Sequence, residues 1–234
     1  MTTERARVGW VVDAQVDFMS PAGRLYVKHL GDESDVGAIQ IVPTLKRAVA
    51  WMAEHCAVVV FTGDWHALED DEIDTEAPDP ARGTYPPHCM GRSDRADERA
   101  GAEIIEEIRP DDPIVLPLAA GPEHADAVAR RAVDERRPVF IQKDQFDVFE
   151  GNAATEPFLL ALQSALGKRP EFIVAGVARD VCVTQAVDGM QARAYDVTAV
   201  SDATWGLGLE EERETLARWR RSGTVMTLEE LQAG

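Results

Sequence analysis

The stretch Phe172–Val187, "FIVAGVARDVCVTQAV", decides the fold. It opens on an apolar run without polar alternation, which is how a strand buried on both faces of a parallel sheet reads. From Val183 onward the apolar residues Val183, Ala186, Val187, Met190 and Ala194 fall on one helical stripe. A buried strand therefore hands over to an amphipathic helix, and Cys182 stands at the junction. With Asp180 as N-cap, Cys182 falls in the first helical turn, where unpaired N–H groups and the helix dipole favour a thiolate. It also lies one place before the Val183 stripe and need not point into the core.

The same unit recurs along the chain. Apolar, β-branched runs at Val8–Val12, Ala57–Phe61, Pro113–Leu116, Pro138–Ile141, Glu171–Ala175 and Tyr195–Val200 predict six strands. Stripes through Ile39, Val42, Leu45, Val49 and Met52, and through Ile104, Ile105 and Ile108, predict helices between them. Glu123–Glu135, Thr155–Leu166 and Glu210–Arg221 read as three more, the last ahead of a short tail. This alternation predicts an α/β fold: a three-layer, doubly wound, six-stranded parallel sheet with helices on both faces, in one domain over residues 1–234. Residues 63–97 break the rhythm and are rich in Pro, Gly and Asp. A loop of that length inside a domain is usually functional or misassigned, and its ordinary reading is a surface excursion; Trp65, His66, Tyr85, His88 and Cys89 are nevertheless poor linker residues. The acidic run Glu69–Glu76 within it reads as a solvated face that could add one metal ligand of unassigned position.

Composition narrows the partners. The 234 residues carry 42 acidic against 24 basic side chains, a formal charge of −18 that repels nucleic-acid backbones and anionic lipid heads. Cys56, Cys89 and Cys182 are three cysteines at irregular spacing, which fits neither a secreted disulfide framework nor a zinc ribbon. The charged start "MTTERARVGW" has no signal-type apolar region, and no run reaches transmembrane length. These features predict a cytoplasmic protein with no nucleic-acid or membrane partner.

In open α/β sheets ligands bind beyond the carboxyl ends of the strands, so the first polar residues after each run are the ones to weigh. These are Asp13 after the first run, Asp64 and His66 after the second, Lys143 after the fourth and Cys182 after the fifth. Each also has an ordinary reading. Asp13 fits a turn or cap, Lys143 a surface cation, and Cys182 a small buried hydrophobe, the reading given to Cys56. Lys143 is nevertheless one of four lysines against twenty arginines. Asp64 and His66 lie two apart on an extended segment and so share a side, and the loop can return His88 to them. One carboxylate and two imidazoles leave open positions on a bound Zn²⁺, Fe²⁺ or Mn²⁺. Cys89 reads as an incidental neighbour or a spare ligand.

Together the segments "VVDAQVDF", "GDWH", "PPHC", "QKD", "GVARDVCV" and "VSDATWG" resemble the isochorismatase-like cysteine hydrolases, and within them the nicotinamidase branch. The resemblance covers nearly the whole chain. It implies Asp13, Lys143 and Cys182 as a catalytic triad, Asp64, His66 and His88 as ligands of one divalent metal, Zn²⁺ before Fe²⁺ or Mn²⁺, and the N–H groups of Ala178 and Cys182 as the oxyanion site. It further implies a cis Val177–Ala178 peptide and a substrate ring held between Phe18 and an aromatic of the loop, here Tyr85. In that branch the metal holds the ring nitrogen. The implied activity is hydrolysis of a small carboxamide, nicotinamide first, through a Cys182 thioester, in a protein that is often a homo-oligomer.

Several segments depart from the branch. Tyr85 stands for a usual Trp, "HCMGRSD" follows the second histidine, and "KDQFDVFEGN" replaces a usual Gly after Lys143. These border the pocket, so hydrolysis of N-carbamoyl or maleamate-type amides, or of a vinyl ether, is an alternative. A catalytically silent metal-binding scaffold is a second alternative.

Overall fold

The computed structural model describes residues 6–234; the charged residues 1–5, part of the N-terminal stretch read above, lie outside it. Through the first half the elements are β1 (Arg7–Val12), α1 (Val16–Met19), α2 (Val42–His55), β2 (Val58–Asp64), α3 (Ala96–Arg99), β3 (Ile114–Leu116) and α4 (Pro122–Glu135). The second half adds β4 (Val139–Lys143), α5 (Val148–Gly151), α6 (Thr155–Leu166), β5 (Glu171–Val177), α7 (Thr184–Ala192), β6 (Asp196–Trp205), α8 (Glu212–Trp219), β7 (Thr224–Met226) and α9 (Leu228–Ala233). The strands form one parallel sheet in the order β3-β4-β2-β1-β5-β6-β7.

Alternate residues of each strand feed two cores. Val8, Trp10 and Val12 of β1 pack with Val128 and Ala132 of α4, Phe158 and Leu162 of α6, Val187 of α7 and Trp219 of α8. Val11, on the opposite side of β1, packs with Leu45, Ala48 and Met52 of α2 and Leu228 and Leu231 of α9. Helices on both faces bury the sheet, which is why its strands read as unbroken apolar runs. Local signals agree: Pro122 opens α4, Gly167 closes α6 in the left-handed conformation at φ 67°, and Thr227 with Glu230 forms a capping box on α9.

Three expectations change. The sheet has seven strands, not six: Thr224–Met226, read as tail, pairs in parallel with Thr198–Val200 at the edge. Three residues are too few to show a period, and an edge strand needs no continuous apolar run. The predicted Ile104–Ile108 helix is instead two 3₁₀ turns, Ala100–Ala102 and Glu106–Ile108. Its backbone is committed elsewhere, since Ile105 N–H donates to Ala14 O at 3.0 Å and Val16 N–H to Glu103 O at 2.8 Å. Ile104, Ile105 and Ile108 are buried all the same, so the apolar stripe reported burial rather than helix. Asp180 is not the N-cap before Cys182: Ala178 holds that place ahead of a π-helical turn, Arg179–Val183. The Asp180 carboxylate accepts from the Leu207 and Leu209 N–H groups at 2.8 and 2.7 Å, two loop donors that outcompete one helical donor.

Chain order places β2, β3 and β4 on one side of β1 and β5, β6 and β7 on the other. The crevice beyond the carboxyl ends of the central strands is the position where such sheets bind ligands.

Candidate active site and metal centre

Register alone brings the first residues together. Asp64 and Lys143 are paired positions of β2 and β4, and Val12, just before Asp13, is paired with Gly176 of β5. Gly176 has φ 126°, and a Cβ there would lie 2.0 Å from Val12 O. Only glycine lets β5 pass β1 this closely before the chain turns through the cis Val177–Ala178 peptide toward Cys182.

Lys143, 1% exposed, is the hub. Its Nζ lies 2.9 Å from Asp13 Oδ2, in contact with Asp64 Oδ1, 3.1 Å from Gln145 O and 4.0 Å from Cys182 Sγ. Asp13 adopts a positive φ of 47°, and its Oδ1 accepts from Thr62 Oγ1 at 2.7 Å. Burial of Asp13 pushes its carboxyl above the usual range, with the Lys143 charge opposing. For Lys143 burial works the other way but is outweighed by Asp13, Asp64 and Cys182, which hold the ammonium well above its usual value. Burial also raises the Cys182 thiol well above its ordinary value, with Lys143 again opposing. Burial thus opposes ionisation of both the thiol and the Asp13 carboxyl, and in each the Lys143 ammonium opposes burial.

Next to it stand Asp64, His66 and His88, all buried, their donor atoms within 4.8 Å of one another. Both His66 Nε2 and His88 Nε2 lie 3.6 Å from Asp64 Oδ2. Donors about 2.1 Å from a tetrahedral ion sit about 3.4 Å apart, so this spacing suits one cation. Outer contacts aim the rings: His66 Nδ1 meets Asp70 Oδ2 at 3.0 Å, and His88 Nδ1 meets Pro86 O at 2.8 Å. Asp64 Oδ2 and His66 Nε2 are buried without hydrogen-bond partners, which a metal would supply. The residues therefore fit a divalent metal. Burial opposes ionisation of Asp64, yet Lys143 and the two imidazoles outweigh it and keep the carboxyl well below the usual range.

Cys182 and Asp64 open on a narrow cavity of about 30 Å³, shared by Phe18, Tyr85, His88, Phe146 and Ala178. The Phe18 and His88 rings are 5.3 Å apart, and Tyr85 meets Phe146 edge-on at 5.5 Å. All nine residues singled out by sequence thus gather in one place. Cys89 joins neither group. Its Sγ faces Gly101 O at 3.7 Å, and its N–H donates to Asp17 Oδ2 at 2.7 Å. Cys56 lies apart as a buried thiol pushed up to about 12, as the core reading expected.

Sequence reasoning missed several supporting residues. Gln15 clamps Asp64 from both sides, Nε2 donating to Asp64 O and Oε1 accepting Asp64 N–H, each at 2.8 Å. Gln15 lies on the loop leaving β1, and its signal was a buried polar residue two places after Asp13. Thr62 sits within an apolar strand and reads as a β-former. Phe146 was hidden in the unusual segment after Lys143. The acidic run is not uniformly solvated: Glu72 is 7% exposed, and burial together with Asp64 pushes its carboxyl up to about 8.

Comparison with known proteins agrees with this architecture. The isochorismatase domain family matches residues 10–230, and the chain belongs to that family. No curated protein sequence matches it. Among solved structures it is similar to a nicotinamidase/pyrazinamidase from Bacillus subtilis, at 17% identity over 94% of this chain and 99% of that one, TM-score 0.64. A pyrazinamidase from Pyrococcus horikoshii in complex with zinc is 22% identical over 95% and 99%, TM-score 0.64. An N-carbamoylsarcosine amidase from Thermoplasma acidophilum is 21% identical over 95% and 96%, TM-score 0.60. No helix among the described residues is long and apolar enough to cross a membrane.

Proposed function

We propose that the chain is a metal-containing cysteine amidohydrolase that cleaves a small, uncharged aromatic carboxamide, with nicotinamide the first substrate to test. The observation that carries this reading is the grouping of Asp13 and Lys143 with Cys182, which borders an aromatic-walled cavity together with Asp64 and His88. Buried charges on this scale have no packing rationale, which counts against a silent scaffold.

In this mechanism Asp13 takes the Cys182 proton as the sulfur attacks the amide carbonyl. Burial disfavours a free thiolate, which calls for such a base, and Lys143 stabilises the charges exchanged between them. The N–H groups of Ala178 and Cys182 receive the carbonyl oxygen as it gains charge, a contribution of about 3–4 kcal/mol for such donors. The C–N bond breaks, Asp13 returns its proton to the leaving nitrogen, and ammonia departs. Water, deprotonated by Asp13, then opens the thioester, releasing the acid and restoring the thiol. Asp64, His66 and His88 would hold a divalent metal, Zn²⁺ first, which would supply a Lewis-acid point for a ring nitrogen. Phe18, Tyr85 and Phe146 flank the ring.

Charge weighs against the anionic alternatives. N-carbamoyl amino acids, maleamate and isochorismate bring a carboxylate, and the cavity wall beyond the site itself is Phe18, Leu25, Val27, Tyr85, Phe146, Val181 and Leu207. Arg179 is turned away, bonded to Thr204 and to Glu212 at 2.9 Å. A carboxylate in an apolar pocket without a partner is strongly disfavoured. The test is ammonia release across nicotinamide, pyrazinamide, maleamate and an N-carbamoyl amino acid. Turnover of the neutral ring amides, lost in Cys182→Ala, is expected; turnover confined to the anions refutes the assignment.

A further inference from the structure

We propose that Glu72 is a fourth protein ligand of the divalent cation, so that the centre is Asp64, His66, Glu72 and His88. This rests on the metal reading above. Glu72 belongs to the acidic run, yet it is 93% buried, since only 7% of it is exposed. One oxygen is anchored: Oε1 accepts the Phe146 N–H at 2.6 Å. The other, Oε2, has no hydrogen-bond partner and lies 3.9 Å from His66 Nε2. That spacing is close to the 3.6 Å separating His66 Nε2 from Asp64 Oδ2. It is also near the roughly 3.4 Å expected between donors around one small ion.

Asp64 Oδ2, His66 Nε2 and Glu72 Oε2 are thus all buried without hydrogen-bond partners, and His66 Nε2 lies within 3.9 Å of both oxygens, although the donor atoms already within 4.8 Å of one another are those of Asp64, His66 and His88. A buried carboxylate oxygen without a partner is costly, and one shared cation satisfies all three. The segment that delivers Glu72 is fixed rather than loosely attached. Tyr85 N–H donates to Glu72 O at 2.8 Å, Asp74 N–H donates to Tyr85 O at 2.9 Å, and Ile73 pairs with Tyr85 in a parallel bridge. The same backbone thus sets Glu72 toward the metal and Tyr85 toward the cavity. Four protein donors, two imidazoles and two carboxylates, leave one position fewer for water and substrate than the three-residue set does.

The experiment compares zinc affinity of metal-stripped wild type and Glu72→Gln by competition with a chromophoric chelator, and their visible spectra when loaded with Co²⁺. Gln retains an oxygen for the Phe146 N–H and exchanges only the free carboxylate oxygen. Zinc binding at least about 10-fold weaker, the lower end of what losing even an outer-shell partner costs, with a changed Co²⁺ spectrum, is expected. The stripped variant should unfold no earlier than stripped wild type, because Gln keeps an acceptor for the Phe146 N–H and adds no buried charge. Zinc affinity within about two-fold of wild type and an unchanged Co²⁺ spectrum would overturn the assignment and leave the three-residue centre standing. Wild type that takes up neither ion would overturn the metal reading and this assignment with it. If Glu72→Gln does not fold, Glu72→Asp, which withdraws the oxygen by one methylene, is judged by the same outcomes.

Discussion

Thr62→Val is the most discriminating test of how Asp13 is held. Thr62 is 1% exposed, and its hydroxyl donates to Asp13 Oδ1 at 2.7 Å while Lys143 occupies Oδ2 at 2.9 Å. Valine keeps the shape and removes that donor alone. A hydrogen bond to a charged group contributes about 1.5–3 kcal/mol, and a change of about 1.4 kcal/mol moves a pKa by one unit. The bond lowers the Asp13 pKa against the burial that raises it, so its loss raises that pKa. Asp13 must be ionised to accept the thiol proton, so the acid limb of kcat/KM shifts to higher pH. The assay is the pH profile of kcat/KM on the best substrate from the panel, with Thr62→Ser expected to restore the wild-type limb. A profile lowered uniformly, with its acid limb unmoved, would refute the reasoning and reduce Thr62 to a packing residue.

Further outcomes follow from the same geometry. All three thiols are buried, but Cys182 borders the aromatic cavity beside Lys143, so iodoacetamide, itself a small amide, should label it ahead of Cys56 and Cys89, as peptide mapping will show. Burial disfavours the thiolate, with Lys143 opposing, so labelling should be faster at alkaline than at acid pH. Labelling of Cys56 or Cys89 ahead of Cys182 would refute the assignment of Cys182 as the reactive thiol. Zinc added to stripped protein at about 100 times its Kd should stabilise the fold by about 2.7 kcal/mol and raise Tm by roughly 5–10 °C. A Tm insensitive to zinc would count against the Asp64–His66–His88 centre. Gly176→Ala should cost on the order of 3 kcal/mol or more, seen as a lower urea midpoint, since the added Cβ meets Val12 O at 2.0 Å and φ is 126°. A midpoint equal to wild type would show that β5 can shift away from β1.

What could be read from the chain was what burial writes into it. Strands such as Val58–Asp64 are buried at every position, so their apolar runs are continuous and the first polar residue beyond each run is conspicuous. Asp13, Asp64, Lys143 and Cys182 were found by that contrast. Glu72 and Phe146 were not, because they sit in segments with no period, and an acidic run looks solvated whichever of its residues turns inward. Thr62 was invisible for the opposite reason: inside an apolar strand a threonine reads as a β-former, and its role lies in one hydroxyl. β7 escaped notice because an edge strand of three residues, half-buried at most, has no pattern of its own. The Ile104–Ile108 turns show the converse error. Burial at i, i+1 and i+4 imitates a helix when the backbone bonds are made across to Ala14 and Val16.

The proposed catalytic and metal-binding groups form one electrostatic unit, and its joint is Asp64. That carboxylate gives Oδ1 to Lys143 and Oδ2 to the two histidines. Any change of charge at the metal position is therefore felt by the ammonium that Asp13 and Cys182 share. The cluster also has a sum to close. Asp13, Asp64 and Glu72 are three buried carboxyl groups answered by one ammonium, while Asp70 at the margin has Arg92 for itself. With all three ionised the imbalance is two negative charges. An interior of low dielectric penalises that heavily, and surface cations screened by water compensate little of it. A divalent ion held by Asp64, His66, Glu72 and His88 brings the sum to zero without drawing on Lys143. The lysine is then left free to stabilise the proton transfer between Cys182 and Asp13. The same sum explains why a chain with so few lysines buries one here: a compact ammonium reaches Asp13, Asp64 and Cys182 at once, and a planar guanidinium would not.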